Sequence, residues 1–497
     1  MVHNFDFESI SIFDIYEELT SHLDTKPNQI FELLRNNFDI RKFIPSTFYN
    51  SYYASLGKNR DIPLEAMLSA LSFMYLFKIP TTKLLRLLLL ICQELRDFCG
   101  FTGVLPDEPL ISRFKETFED QIKLVFDAMV SLSLDICDEM NNELLNNPET
   151  KDHPMANLNE LLIGDTSAFE PMVKENNPKF LQSEITRQER FARRINNPNF
   201  DPIRAAYANM PKQSLANPEF KLDYANGHFC YSYTYSLLTN GWGIPLDVNF
   251  LNKDFYASLE KQSFDSPDEQ KYFYDNASLR PVLTSFLNNH NNRFSSFLGD
   301  SEFDSYANFE FLRANGFKKV FIPINARGSA TANNNASTLS FSSDGIPLCP
   351  RDNTSFNFEG FCGGKNRSKR IKFTCPRTKR VKGKYNCDCS DKCTDSPSGR
   401  MTYVYPDRDF RLYPGVARNS DEFFQTYKVR TVIERSISTI KSNPALSKPK
   451  TLKTATMRVD LLFALMARNI ILILAYSLKK KDFFSNFRCF SNLLKAV

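Results

Sequence analysis

The chain has 497 residues, of which 42% are hydrophobic, 24% charged and 13% aromatic, and its formal net charge is +5. That balance excludes a disordered or collagen-like protein, and at about 150 residues per domain it predicts roughly three domains. A charge of +5 is too weak to name a partner, so its distribution along the chain matters more.

The opening residues, MVHNFDFESISIF, show no basic stretch followed by an apolar one, so no signal peptide is expected. The two most apolar segments are Leu84–Cys92, too short to span a bilayer, and Leu461–Leu478, interrupted by Arg468 and Asn469. Both are expected to be buried helices, with no membrane as a partner. Eleven Cys, six of them between Cys349 and Cys393, do not make a secreted disulfide scaffold, which favours a reducing cytoplasm.

Residues 1–150 read as a helical domain. Pro63–Phe77 and Thr81–Leu95 carry apolar residues at helical spacing, with Pro80 between them as a breaker. Pro106-Asp107-Glu108-Pro109 has the form of a helix entry, and a further helix runs through Met140. The Asn- and Pro-marked stretch from Asn141 to Asn157 reads as a linker.

At Leu158 the pattern changes. Leu161-Leu162-Ile163-Gly164-Asp165 is an apolar strand-like run ending in an acid. Residues 172–226 are polar, with a basic helical stretch at Arg187–Arg194 whose arginines read as a solvated face. Tyr231–Leu238 and Ile244–Leu251 read as strands around the hairpin signal Asn240-Gly241-Trp242-Gly243. Phe294–Leu298 is another apolar run, followed by Gly299-Asp300, then a helix (Tyr306–Asn315) and a strand (Val320–Ile324). This alternation predicts a mixed α/β sheet core. It is interrupted by a Cys-rich insert and closes with helices at Asp421–Ser442 and Arg458–Leu478. The expected domains are 1–150, 151–345 as the first part of the core, 346–404 as the insert, and 405–497 as the core's C-terminal helices.

The segment from Tyr427 to Lys441 carries the densest chemistry. On one continuous helix Tyr427, Arg430, Glu434 and Lys441 share a face beside an apolar stripe of Val429, Ile433, Ile437 and Ile440. Surface ion pairing explains an Arg430–Glu434 pair equally well. Asp165 and Asp300, however, each follow a strand-like run, where α/β folds commonly place active groups. Carboxylates converging from two strands and a helix suit hard divalent cations, and two such ions about 3.5–4 Å apart can drive phosphodiester displacement. Glu170 competes with Asp165 as the first acid and Asp304 with Asp300 as the second.

The spacing Tyr-x2-Arg-x3-Glu-x6-Lys resembles the Y-R-E-K signature of DDE transposases of bacterial insertion sequences, complete at all four positions. Other stretches agree in the family's order. PDEPLISRF (Pro106–Phe114) resembles the phrase closing its helical N-terminal module, and IGDTS (Ile163–Ser167) its first-acid strand. NGWGIP (Asn240–Pro245) is similar to its hairpin and GDSEFDS (Gly299–Ser305) to its second-acid block. Pro406–Tyr427 is similar to the lead into the signature. The resemblance spans roughly residues 60–475.

The resemblance implies an RNase H-like mixed sheet core with an all-helical N-terminal domain that binds transposon ends. It implies catalytic Asp165, Asp300 and Glu434 holding two Mg²⁺ ions, with Tyr427, Arg430 and Lys441 contacting DNA. The implied reaction nicks the transposon ends and joins the freed 3′-OH to target DNA. Double-stranded DNA is then the partner, the protein acts as a homodimer or higher oligomer on it, and it works in the bacterial cytoplasm at the nucleoid. A metal-dependent nuclease without joining, and a catalytically dead DNA-binding protein, are the alternative readings.

Within the insert, Cys349, Cys375, Cys387, Cys389 and Cys393 suit tetrahedral zinc, against the alternative of metal-free reduced thiols. With Cys362 the insert has six cysteines, and their spacing does not say which four would bind. Lys365–Lys384 holds ten Lys and Arg and no acid, a charge concentration expected to face a phosphate backbone.

Overall fold

The computed structural model describes residues 28–53, 60–146, 158–195, 197–259, 267–325, 341–342, 345–364, 367–390, 392–406, 409–447 and 449–479. Two compact units emerge from the chain. One combines Met1–Glu139, Phe169–Pro218 and Arg435–Val497; the other combines Met140–Ala168 and Glu219–Glu434.

The first unit is helical. Thr81 caps the Thr82–Ile91 helix by accepting from the Leu84 N–H at 3.1 Å. The expected single helix from Thr81 to Leu95 is divided at Cys92, which begins a second helix, Gln93–Cys99. Asp107 caps Glu108–Thr117 with Pro109 in its first turn, as the Pro-Asp-Glu-Pro entry predicts. The following helix, Glu119–Asn146, continues six residues past Met140 into the expected linker. Glu143 and Leu145 are good helix formers and extend the pattern. Residues 147–157 of that linker lie outside the described residues.

The last helix, Thr454–Ser477, belongs to this unit and not to the sheet core expected for 405–497. Phe463 stacks on Tyr75 with ring centroids 5.9 Å apart, Lys115 pairs with Asp460, and Arg458 grips Glu119 through two nitrogens. Its length and composition suffice to cross a membrane, but 89% of its most apolar window is buried within the fold. Arg468 and Asn469 are buried there too, Asn469 donating to the Leu465 carbonyl at 3.1 Å. Arg187, Arg190, Arg193 and Arg194 lie exposed on the Pro178–Ile195 helix, the solvated face expected of them.

The second unit is built on a six-stranded mixed sheet. Its strands are β1 (Leu161–Phe169), β2 (Lys221–Ala225), β3 (His228–Asn240), β4 (Pro245–Phe250), β5 (Ser296–Leu298) and β6 (Lys319–Phe321). The order is β2-β3-β1-β5-β6, with β4 also paired to β3. β3 is long enough to pair β2 through residues 228–232 and β4 through 235–239, both antiparallel. β1, β5 and β6 form a parallel run. The β3–β4 hairpin turns where Asn240 accepts from the Trp242 and Ile244 N–H groups at 3.1 and 3.0 Å. Trp242 is buried as a packing residue, and His228 is exposed at the start of β3. A 23-residue helix, Pro267–Asn289, lies between β4 and β5 and was not evident from sequence.

The insert forms two small sheets. β7 (Asn357–Gly364), β8 (Arg367–Thr374) and β11 (Met401–Val404) make a three-stranded antiparallel sheet in the order β11-β8-β7. β9 (Thr378–Val381) and β10 (Lys384–Cys387) make a hairpin with a two-residue turn. Lys382 and Gly383 at that turn have φ of 51° and 79°, the left-handed pair that a tight hairpin requires.

Candidate active site

The parallel register between β1 and β5 determines where the two strand acids fall. Ile163 on β1 is level with Leu298 on β5. Asp165 and Asp300 each lie two residues further along their own chains, so side-chain alternation sends both to one face. Neighbouring strands are about 4.8 Å apart, which brings the two carboxylates together at the end of the paired segment.

The glycine before each acid has a packing reason. Phe297 alternates to the opposite face and lies under both positions. A Cβ on Gly164 would come 2.9 Å from the Phe297 Cζ, and one on Gly299 would come 3.0 Å from Cε1 of the same ring and 2.8 Å from Phe303. Both Gly-Asp pairs therefore make room for one ring beneath the acids.

Asp300 accepts from the Glu302 N–H at 3.0 Å and starts a short 3-10 helix, Ser301–Phe303. The competing acid, Asp304, is committed elsewhere. Its two oxygens accept from Nε and Nη2 of Arg411, both at 2.7 Å, and one also accepts from the Asn325 N–H at 2.7 Å. The Asp304 side chain is fully buried and Arg411 nearly so. This is a structural clamp, and of the two candidates it is Asp300 whose charge acts on Asp165. Glu170, the alternative first acid, lies beyond the end of β1.

The third acid arrives on a helix. The expected continuous helix from Asp421 to Ser442 is in fact two, Asp421–Lys428 and Thr431–Lys441. Between them the N–H groups of Val429, Arg430, Val432 and Ile433 each donate to the carbonyl three residues back, at 2.9–3.1 Å. β-branched Val429, Thr431, Val432 and Ile433 weaken α-helical continuity there, and the tighter winding sets Arg430 in a turn. Tyr427 closes the first helix by stacking on Phe423, with centroids 5.7 Å apart, and Phe423 packs on Phe321 of β6.

Arg430 ties the pieces together. Its Nη2 donates to Oε1 of Glu434, and its Nη1 lies 3.8 Å from Oδ2 of Asp165. The guanidinium carbon is 5.7 Å from the Tyr427 ring centroid. One cation thus touches acids 269 positions apart in the chain. Lys441 is seven residues past Glu434 on the same helix, about 10 Å along its axis, and belongs to the helical unit.

The electrostatics follow from this crowding. Burial pushes the Asp165 carboxyl up to about 7, and the nearby charges of Asp300 and Glu434 add to that push. Arg430 and the Thr166 N–H, which donates to Asp165 at 2.8 Å, oppose it without cancelling it. Burial also raises the Tyr427 phenol, against the pull of Arg430. For Arg430 itself burial favours the neutral form, yet Tyr427 and the three acids hold its pKa above the ordinary value.

Three residues at or behind the site escaped the sequence. Tyr235 of β3 is buried near Ser167 and Asp165, and burial raises its phenol strongly. Arg411 holds Asp304. Arg418, also buried, donates to the carbonyls of Ile322, Leu412 and Arg411 at 2.8, 3.0 and 2.7 Å, tying the lead of the signature to β6. The signal was Arg411 and Arg418 in Pro406–Tyr427, which read as part of a family phrase and not as buried clamps.

In the insert, charges that look uncompensated in sequence are partly balanced. Arg377 pairs with Asp352 at 2.5 Å and Lys379 with Asp388 at 2.6 Å. Arg370 lies over Tyr403 and Lys372 over Tyr385, at 4.3 and 4.5 Å from the ring centroids. Lys382 and Lys384 are exposed at the hairpin turn.

Residues 18–117 match a family described as a transposase domain, DUF772, which supports a transposase over less than a quarter of the chain. No curated protein matches. Among solved structures the chain is similar to a piggyBac transposase, determined as a synaptic complex with hairpin DNA. The two are 9% identical, with 97% of this chain and 79% of that one covered, at a TM-score of 0.37, a level at which a shared fold does not follow.

Proposed function

We propose that this chain is a DNA transposase of an insertion sequence, nicking the ends of its element and joining the freed 3′-OH to target DNA. The carrying observation is Arg430 touching both Asp165 and Glu434 while Asp300 stands level with Asp165 across a parallel strand pair. The mixed sheet, with both strand acids leaving its parallel run, supports an RNase H-like core. The transposase-domain match in the helical region supports a role for that region in binding transposon ends.

The donor set fits hard divalent cations. Burial first, and then the charges of Asp300 and Glu434, raise the Asp165 carboxyl against the pull of the Arg430 guanidinium, and a bound cation would favour its ionised form. Asp165, Asp300 and Glu434 are the residues that would hold Mg²⁺. When bound, a Mg²⁺ pair supplies activation of the attacking oxygen and charge stabilisation of the leaving one. Arg430 then has its donors released from the carboxylates and directed to a phosphate oxygen, where a planar fork binds well. Tyr427 keeps the guanidinium oriented by offering its ring face. Lys441 adds a point charge two turns along the helix.

A supercoiled donor plasmid carrying the element's ends, incubated with the protein and Mg²⁺, tests the reading. Joined products are expected. Nicks without joining would make the protein a nuclease, and a mobility shift without cleavage a DNA-binding protein.

The insert's hairpin serves in this reading as a phosphate-backbone surface. Replacing Lys382 and Lys384 together with Ala is expected to weaken binding to all duplexes alike. The slope of log K against log salt should fall by about two, one per lost phosphate contact. An unchanged slope in a salt titration removes the hairpin from the DNA interface.

A further inference from the structure

The helix Pro178–Ile195 concentrates charge of one sign. Arg187, Arg190, Arg193 and Arg194 are all exposed on it, in a chain whose whole formal excess is +5. At about 100° per residue the four fall within an arc of roughly 120°, on one face of the helix. The acids of this helix, Glu184 and Glu189, lie outside that arc, one on each side.

A face kept only for solubility interleaves the two signs, because opposite charges three or four residues apart attract. This face does not. Arg190 stands at i,i+3 or i,i+4 from each of Arg187, Arg193 and Arg194, and like charges at those spacings destabilise a helix. Among the described residues only Arg187 of the four is in an ion pair, with Glu184 at 3.1 Å. The helix dipole favours cations in the last turn, where Arg193 and Arg194 lie, and it does not account for Arg187 and Arg190. The repulsion along this face is what an anionic partner would relieve.

The other side of the helix is engaged by the fold. Leu181, Ile185, Gln188 and Ala192 lie opposite the arginines and are buried or half-buried. The short helix Pro202–Asn209 packs against this one, and Phe191 meets Phe200 of the connection edge-on, with centroids 5.6 Å apart. A helix that lies on a membrane needs a free apolar face opposite its cations, and here that face is covered. A polyanion that approaches the arginines alone fits better.

We infer that the arginine face of Pro178–Ile195 is a surface for the backbone of duplex DNA, on which the guanidinium groups hold phosphate oxygens without reading bases. All four cations are arginine, whose planar fork offers two parallel N–H donors to a phosphate. Duplex DNA carries one negative charge per about 1.7 Å of its axis, and Arg187 and Arg194 are about 10 Å apart along the helix. Several phosphates therefore come within reach in any register. The assignment rests on DNA being the partner and not on the chemistry of the acid cluster.

The test is a salt titration of binding, without divalent cations, to a duplex bearing the element's end and to an unrelated duplex. In the variant combining Arg190→Ala, Arg193→Ala and Arg194→Ala, the slope of log K against log salt is expected to fall by about three on both duplexes, one per lost contact. The corresponding triple Lys variant should keep the wild-type slope, since it keeps the charge, while binding more weakly because the fork is lost. Alanine is the better helix former and removes the like-charge pairs, so the triple Ala variant should melt no lower than the wild type. A wild-type slope in the triple Ala variant overturns the surface, and a slope lost only on the element's end overturns contact without base reading. Both leave DNA as the partner. A wild-type chain that binds neither duplex overturns the DNA reading and this surface together.

Discussion

Replacing Asp165 with Asn is expected to abolish strand cleavage and, in the metal-free protein, to raise thermal stability. The first effect follows from removing a ligand for the cations that stabilise transition-state charge. Such terms are worth several kcal/mol, on the order of a thousandfold or more in rate. The second follows from the burial of the Asp165 carboxyl, with the repulsion of Asp300 and Glu434 adding to it. The unfolded carboxyl ionises near its ordinary 3.8 and the folded one near about 7. Between those values the native state binds the extra proton, so stability falls as pH rises and the full penalty is present above pH 7. At about 1.4 kcal/mol per unit the penalty at pH 8 is on the order of 4 kcal/mol, and Asn relieves it. Melting curves of both proteins at pH 3.5 and pH 8 check this, with the difference shrinking at the lower pH. Adding Mg²⁺ should stabilise the wild type more than the variant. A variant that still cleaves removes Asp165 from the catalytic set, and equal melting at pH 8 removes the argument from a buried, crowded carboxylate.

Arg411→Leu is expected to cost about 3–5 kcal/mol of stability, because it strands a buried, ionised carboxylate. Asp304 has no exposed side-chain surface and receives both hydrogen bonds of the guanidinium. The same acid anchors the Asn325 N–H, so the loop after β6 loosens as well. Pairing Arg411→Leu with Asp304→Asn should recover much of the loss, since the uncompensated charge is gone. Urea midpoints of the two single variants and the double variant measure this coupling. The experiment also separates the two candidate second acids. If Asp304 were a metal ligand, Asp304→Asn would abolish the Mg²⁺-dependent rate while leaving the urea midpoint near that of the wild type.

The strand acids were legible because each follows a short apolar run broken by Gly, and burial plus alternation leaves few other places for a carboxylate. The local identity of Glu434 was legible from apolar spacing around it. The interruption at Val429–Arg430 was not, because a tightened turn without Gly or Pro leaves no mark in the sequence. The Pro267–Asn289 helix was missed for the opposite reason. It contains Pro281, which reads as a breaker, although it is tolerated inside this helix. The last helix was recognised as buried, but its packing partners were not legible. An apolar face says that a helix is covered, and only cross-chain pairs such as Lys115–Asp460 and Arg458–Glu119 say by what. The roles of Arg411 and Arg418 are likewise long-range, made with Asp304 and Ile322 about a hundred positions away. Nothing local distinguishes such arginines from exposed ones.

The ring beneath the two Gly-Asp pairs has a consequence for how this sequence is free to drift. Since Phe297 fills the space that a methyl group at position 164 or 299 would claim, the three positions are not independent. A homologue carrying Ala at either one should carry a smaller residue in place of the phenylalanine. Such compensated triplets, recurring across diverged copies, would be the evolutionary imprint of a platform that selection keeps level.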